Sequence, residues 1–348
     1  MAFKLDKIFR TAAQYKASDI FISTGAKPIL RINGELVPIK EHPILTKKIA
    51  EEYLLEILSD EQKKRFEQTL DIDFSLEIET ISRFRVNMFA QRKGISGVFR
   101  LISENVLTMD ELHLPQQMKK TTTMKNGLVI VTGPTGSGKT TTLAAMINEI
   151  NKTQAKHILT VEDPIEYIHK NQMSLVQQRE VGNHTHSFQK ALRAALRENP
   201  DVILIGEMRD LETMQLAITA AETGHLVFAT LHTSGCANSI NRIIDSFPMD
   251  QQNQIRTQLA ESLQAVIWQN LLKTKDGKGR VGAYEMMFVN NAISNMIRKG
   301  STHQINSVIE TSTKEGMQTM KKAVTELYQG GIISEEEALR HIPKEFEG

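Results

Sequence analysis

The sequence predicts an α/β protein in which a smaller α+β unit precedes a larger unit with a parallel sheet covered by helices on both faces. Three observations carry this reading. After Asn126, apolar runs at 128–132, 157–161, 202–205 and 226–230 alternate with longer stretches of helical period. Strands that are apolar throughout belong to sheets buried on both faces. Before Asn126 the apolar stretches are short, alternate with polar residues and meet at turn residues. Finally, 348 residues with 40% hydrophobic and 24% charged side chains suffice for two or three domains and exclude a disordered chain.

The elements follow in order. Leu5, Ile8, Phe9 and Ala12 recur at helical spacing, and Ile20 and Ile22 alternate as in a strand. Ile29-Leu30-Arg31-Ile32 and Glu35-Leu36-Val37 flank Asn33-Gly34, a hairpin signal because both turn residues tolerate positive φ. Ile49, Tyr53, Leu54 and Ile57 share a helix face, and strands are expected at 73–76, 84–88 and 98–101. Residues 103–117 show little period and read as a linker. The apolar runs then take over. Asp276-Gly277 marks a hairpin between 271–274 and 280–284, and from Asn290 the signals are helical only. The expected division is 1–102, a linker at 103–117, a core at 118–285 and a helical part at 286–348.

Composition narrows the function. Lys+Arg number 42 and Asp+Glu 41, a net charge of +1, so no basic field advertises nucleic acid or an anionic membrane. The single cysteine, Cys236, excludes a disulfide framework within the chain and a zinc site with two thiolates. The charged start lacks the apolar core of a signal peptide, and no stretch reaches the roughly 18–20 apolar residues of a membrane span. The expected location is cytoplasmic.

The chemistry begins at Gly133-Pro134-Thr135-Gly136-Ser137-Gly138-Lys139-Thr140, an eight-residue phosphate-loop motif with an apolar strand before it and a helical pattern after it. Glycines let successive backbone N–H groups turn inward as an anion nest, and the helix start adds partial positive charge. Lys139 would reach the β- and γ-phosphates of a nucleoside triphosphate, and the Thr140 hydroxyl would bind Mg²⁺. Asp201-Val202-Ile203-Leu204-Ile205-Gly206-Glu207 is a strand delivering a carboxylate to the edge where ligands of parallel sheets sit. Glu207 is the candidate to orient or activate the attacking water. Gly206 stands where many hydrolases have an Asp, so another carboxylate must help. Glu162-Asp163-Pro164-Ile165-Glu166 offers three. His225 and His232 bracket a further strand; their odd spacing puts them on opposite faces if the strand runs throughout. Arg83, Arg85 and Asn87 share one strand face, and Arg92 and Arg100 follow; arginines such as these can stabilise a phosphate in its transition state.

Together these segments resemble the secretion ATPase superfamily, and within it the type IV pilus retraction motors of the PilT/PilU kind. The carriers are the phosphate loop, the acidic stretch from Glu162 to Glu166, the run Gly206-Glu207-Met208-Arg209-Asp210-Leu211-Glu212-Thr213, and Ala220-Ala221-Glu222-Thr223-Gly224-His225 through Thr230-Leu231-His232. The resemblance extends from Ala17-Ser18-Asp19 to Gly316-Met317-Gln318. It implies a PAS-like N-terminal domain over 1–102 and a RecA-like ATPase core that ends in the helical part over 286–348. It implies a homohexamer with ATP and Mg²⁺ between the domains. Residues 133–140 would hold the nucleotide, with Thr140, Glu162 and Glu166 toward the metal. Glu207 would be the catalytic glutamate, Glu166 an acidic-box carboxylate, and His225 and His232 the histidine pair. Arg85, Arg92 and Arg100 are the candidates for phosphate-contacting arginines.

The implied activity is ATP hydrolysis coupled to domain rotation, retracting a pilus from the inner face of the cell membrane. An inner-membrane platform protein and a paralogous pilus ATPase are the implied partners. The retraction signature Ala-Ile-Arg-Asn-Leu-Ile-Arg-Glu reads here Ala292-Ile293-Ser294-Asn295-Met296-Ile297-Arg298-Lys299, and Lys275-Asp276-Gly277-Lys278-Gly279 is closer to the accessory PilU kind. Main and accessory motors therefore both remain open. An extension or type II secretion ATPase is disfavoured because those longer relatives carry a four-cysteine zinc insertion. A nucleic-acid translocase is disfavoured by the near-neutral charge, and a ring partner without turnover by the intact Lys139 and Glu207.

Overall fold

Alternation in the first hundred residues becomes a six-stranded antiparallel sheet. The structure, a computed structural model, describes residues 4–32, 34–78, 81–102 and 106–342. It forms two units, Met1–Asn105 with Glu166–Ile168, and Val106–Ile165 with His169–Gly348.

The first unit runs α1 (Asp6–Gln14), β1 (Asp19–Ser23), β2 (Ile29–Ile32), β3 (Glu35–Pro38), α2 (Lys47–Leu55), α3 (Asp60–Thr69), β4 (Asp71–Ile78), β5 (Ser82–Gln91) and β6 (Gly94–Ile102). The sheet order is β3-β2-β1-β6-β5-β4. Phe9 of α1 stacks on Phe84 of β5 with ring centroids 4.6 Å apart and meets Phe99 of β6 edge-on at 5.2 Å, which fastens the helix to the sheet. Ile32 pairs with Glu35, and Gly34 takes φ +89°, as the hairpin reading expects; Asn33 lies outside the described residues. Helix α3 was not anticipated, because Phe66 is its only buried residue and it shows no apolar period. Its signal lay in the capping box. The Gln62 N–H donates to Ser59 Oγ at 3.2 Å, and the Ser59 N–H donates to Gln62 Oε1 at 2.9 Å.

The second unit opens with an irregular segment. Residues 103–105 of the expected linker lie outside the described residues. From Val106 onward, Met109 and Leu114 are buried in one core with Val129 and Leu143. Two apolar side chains on irregular backbone leave no period to read. A 3₁₀ turn at Gln116–Met118 and α4 (Lys119–Thr122) lead into β7 (Gly127–Thr132) and α5 (Lys139–Thr153). Then follow β8 (His157–Glu162), β9 (Leu175–Glu180), α6 (Phe188–Ala195), β10 (Val202–Ile205), α7 (Leu211–Glu222), β11 (Leu226–Leu231), α8 (Cys236–Asp245), α9 (Gln252–Ser262), β12 (Leu263–Lys273) and β13 (Arg280–Phe288). Helices α10 (Asn291–Lys299), α11 (Ile305–Thr311), α12 (Met320–Gln329) and α13 (Glu335–His341) close the described chain. Residues 343–348 of the expected helical part lie outside it.

The seven-stranded order is β13-β12-β7-β11-β10-β8-β9, with β12 through β9 parallel and β13 antiparallel at one edge. Every residue of β7, β10 and β11 is buried, which is why these strands read as continuous apolar runs. The edge strand β9, Leu-Val-Gln-Gln-Arg-Glu, was not anticipated, since one covered face leaves a weak pattern. The expected boundary at 285/286 falls inside β13. There the buried Glu285 accepts the Cys236 N–H at 2.8 Å and the Met320 N–H at 3.3 Å, so one carboxylate serves the first turns of both α8 and α12.

Candidate active site

In the parallel sheet the carboxyl ends of β7, β11, β10 and β8 line up along one edge. Adjacent strands lie about 4.8 Å apart. The phosphate loop, His232 and Glu207 follow the first three of these strand ends and Glu162 is the last residue of β8, so four of the sequence-selected features meet on one line.

The loop leaves β7 after Thr132. Gly133, Gly136 and Gly138 take φ +148°, +79° and +87°, conformations that a side chain resists. Pro134, Thr135 and Gly136 form an exposed crest, while Ser137 and Lys139 are buried. The Lys139 ammonium donates to the Gly133 and Pro134 carbonyls at 2.9 and 3.0 Å, which draws it back over the loop. Gly138 is the N-cap of α5 and no side chain caps that end. Its backbone N–H groups are therefore suited to an anion. Thr140 is half-buried in the first turn of α5, where its hydroxyl offers one hard oxygen ligand of the kind Mg²⁺ takes beside phosphate and water.

Glu207 stands just beyond β10. Its Oε2 lies 2.8 Å from Arg209 Nη2, and its Oε1 lies 3.3 Å from His232 Nε2. Partial burial works against its charged form, but the bond and charge of Arg209, then of His232, outweigh it and hold the carboxyl below the usual glutamate range. Glu207 is thus ionised and oriented on both sides. The Arg209 guanidinium is pushed up mainly by its bond to Glu207, with Asp163 adding to it. Sequence reasoning quoted Arg209 but gave it no role. The available signal was its spacing, since positions i and i+2 of an extended segment face the same way.

Gly206 has a steric reason. A Cβ there would lie 3.3 Å from Glu162 Cα and from the Val161 carbonyl, so β8 packs where an Asp side chain would begin. The neighbouring carboxylate, Glu162, is buried and accepts from the Thr160 hydroxyl at 2.6 Å and from Gln178 Nε2 at 3.2 Å.

A hydroxyl chain that sequence reasoning missed ties the histidine segment to the loop. Thr132 Oγ1 lies 2.7 Å from Thr233 Oγ1, which lies 2.7 Å from Ser239 Oγ of α8; the Thr233 N–H donates to Thr132 Oγ1 at 3.0 Å. Single hydroxyls inside apolar runs carry no pattern.

One selected residue of the second unit, His225, is not brought to this edge. Strand β11 covers only Leu226–Leu231, so the two histidines flank it rather than share it. His225 lies at the opposite end, roughly 20 Å away at about 3.3 Å per residue, where its Nδ1 lies 2.9 Å from the Ala220 carbonyl at the end of α7. Glu166 belongs to the first unit, as do the three arginines. Arg85 is half-buried and faces Arg100 in register, and Arg92 is exposed in the turn joining β5 to β6. Arg100 Nε donates to the buried Asp19 at 2.9 Å, which also pairs with Arg31 at 3.5 Å. Arg83, on the same strand face as Arg85 in the sequence, is buried and donates to Ser75 Oγ at 3.1 Å. Among the described residues no group of three or more His, Cys, Asp or Glu could hold a metal ion.

Comparison with known proteins agrees with this architecture. Residues 2–340 match the family described as Type II/IV secretion system protein. The chain is 47% identical over 344 residues to the type IV pilus retraction ATPase PilT of Pseudomonas aeruginosa, covering 98% of this chain and 99% of that one. It is 41% identical over 338 residues to the type IV pilus ATPase PilU of the same organism, covering 97% and 88%. The crystal structure of the pilus retraction motor PilT with bound ADP superposes with a TM-score of 0.92 at 43% identity, covering 99% of this chain and 98% of that one. With residues 2–340 matched to the family and 98% of the chain covered at 47% identity, this chain belongs to the Type II/IV secretion system protein family.

Proposed function

We propose that this chain is an ATPase motor that retracts type IV pili and so drives twitching motility. The observation that carries the reading is the pairing, along one sheet edge, of a lysine-bearing phosphate loop with Glu207, a carboxylate that Arg209 and His232 keep ionised. ATP would lie with its phosphates against residues 133–140 and Lys139 on the terminal phosphates. Glu207 would orient the attacking water and take up its proton, while Arg209 and His232 fix the carboxylate's direction. Mg²⁺ would be held by Thr140 and the nucleotide and would supply charge neutralisation on the phosphates. Glu162 and Glu166 are proposed to assist from the acidic stretch, and Arg85, Arg92 and Arg100 to supply cationic contacts, Arg100 only after leaving Asp19. His225, remote from this edge, is proposed for a contact between subunits.

The greater identity to PilT than to PilU favours the main motor over the accessory one. We further propose a homohexamer at the inner face of the cell membrane, acting on a platform protein and turning ATP-driven domain rotation into removal of pilin. No helix among the described residues is long and apolar enough to cross a membrane, so attachment would come through partners. Two measurements test the reading. Glu207→Gln should cut phosphate release at least about 100-fold while ATP still binds; an unchanged rate removes its assigned role. Deletion of the gene should leave cells with excess filaments that do not retract. Loss of filaments would instead identify an extension motor.

A further inference from the structure

The phosphate loop does not rest on its own backbone alone. Strand β12 runs beside β7, and its Gln269 is 1% exposed beneath the loop. Its Nε2 donates to the Ser137 carbonyl at 2.5 Å, and its Oε1 accepts the Thr142 hydroxyl of α5 at 2.9 Å. The loop's glycines sit against the same residue. A Cβ on Gly133 would lie 2.3 Å from the Gln269 carbonyl oxygen, and a Cβ on Gly138 would lie 3.0 Å from Nε2. The preceding residues Ala265, Val266 and Ile267 are apolar and buried, so an amide here carries a desolvation cost that only its two bonds offset.

The consequence follows from peptide geometry. In a planar trans peptide the carbonyl and the next N–H point in opposite directions. Holding the Ser137 carbonyl toward Gln269 turns the Gly138 N–H away from β12, onto the phosphate side. The same amide holds Thr142, so loop and helix start are set by one rigid group. We propose that Gln269 is a positioning residue for nucleotide binding, which pre-orients the Ser137–Gly138 peptide and the first turn of α5 before phosphate arrives. The proposal rests on the reading of residues 133–140 as the phosphate site.

The test is ATP and ADP affinity of the full chain, by calorimetry, with melting temperature measured alongside. Gln269→Met fills the same space without a donor, and should weaken ATP binding roughly ten-fold while the protein still melts cooperatively. Gln269→Glu should lose affinity similarly at about pH 8 and regain it toward about pH 5.5, because burial raises the carboxyl's pKa and its protonated form donates again. Each affinity is taken relative to the parent protein at the same pH, because ATP's own terminal phosphate titrates near about pH 6. A purely structural residue would show the rescue in melting temperature and not in the affinity of protein that is folded at both pH values. Unchanged affinity in a folded Gln269→Met protein overturns the proposal, as does a Gln269→Glu protein whose deficit ignores pH. If Gln269→Glu fails to fold, Gln269→Met and Thr142→Val decide, the latter expected to weaken binding a few-fold. Lys139→Ala separates the two levels. Intact ATP affinity there removes the phosphate-loop reading itself, whereas loss there with none in Gln269→Met removes only the brace.

Discussion

Glu207 shows how two neighbours decide the state of one carboxyl. Burial alone would favour its protonated form, yet Arg209 at 2.8 Å and His232 at 3.3 Å keep it charged. Its folded-state pKa is depressed below the ordinary 4.5, so its ion pair adds stability above that value and loses it as pH falls through the lowered one. Arg209 is well exposed, and salt weakens the pair. Replacing Arg209 with Met leaves the burial and removes the main compensation. The acid limb of the kcat profile for ATP hydrolysis should then move to higher pH, and the ratio of rates at about pH 5 and about pH 8 should fall. Superimposable acid limbs for the two proteins would show that Arg209 does not hold Glu207 ionised.

At the scale of elements, the phosphate loop is shaped by the strand behind it as much as by its own glycines. Gly133 and Gly136 both have positive φ but differ in surroundings. A Cβ on Gly133 would meet backbone oxygen at 2.3 Å, whereas one on Gly136 would meet nothing within 4 Å. Gly136→Ala should therefore cost only backbone strain, about 1 kcal/mol in stability, with ATP affinity reduced a few-fold. Gly133→Ala has to displace β12 or the loop, and should reduce affinity at least ten-fold more than Gly136→Ala does. Equal effects in a binding titration would mean that β12 yields easily and that the close packing is unimportant.

For the whole molecule, the proposed motor requires more than one unit and more than one copy. The edge of the parallel sheet carries Glu207, the proposed base, and the phosphate loop, while Arg85, Arg92 and Arg100 belong to the other unit, and His225 lies at the far end of β11. In the proposed ring, neighbours complete each site, so turnover per chain should rise steeply with protein concentration as rings assemble. Sedimentation and phosphate release measured on the same dilution series check this. An isolated chain as active per molecule as the assembled one would sink the ring mechanism.

Much of this was legible from residues 133–140 and from the wholly buried strands around them, because full burial leaves unbroken apolar runs and a phosphate loop needs glycines at set intervals. Helix α3 and strand β9 escaped, since Phe66 is the only buried residue of one and the other has a single covered face. The sequence by itself determined the class of fold, the anion-binding loop and the strand-end glutamate, all properties of contiguous residues whose local spacing carries the physics. Only the tertiary structure decided that Arg209 and His232 share one carboxylate, that His225 sits at the wrong end of its strand, that β8 packs close against Gly206, and that Gln269 supports the loop from 132 residues away in the chain. Such pairings depend on strand order and parallel register, which sum over long-range contacts and leave no periodic trace in the chain.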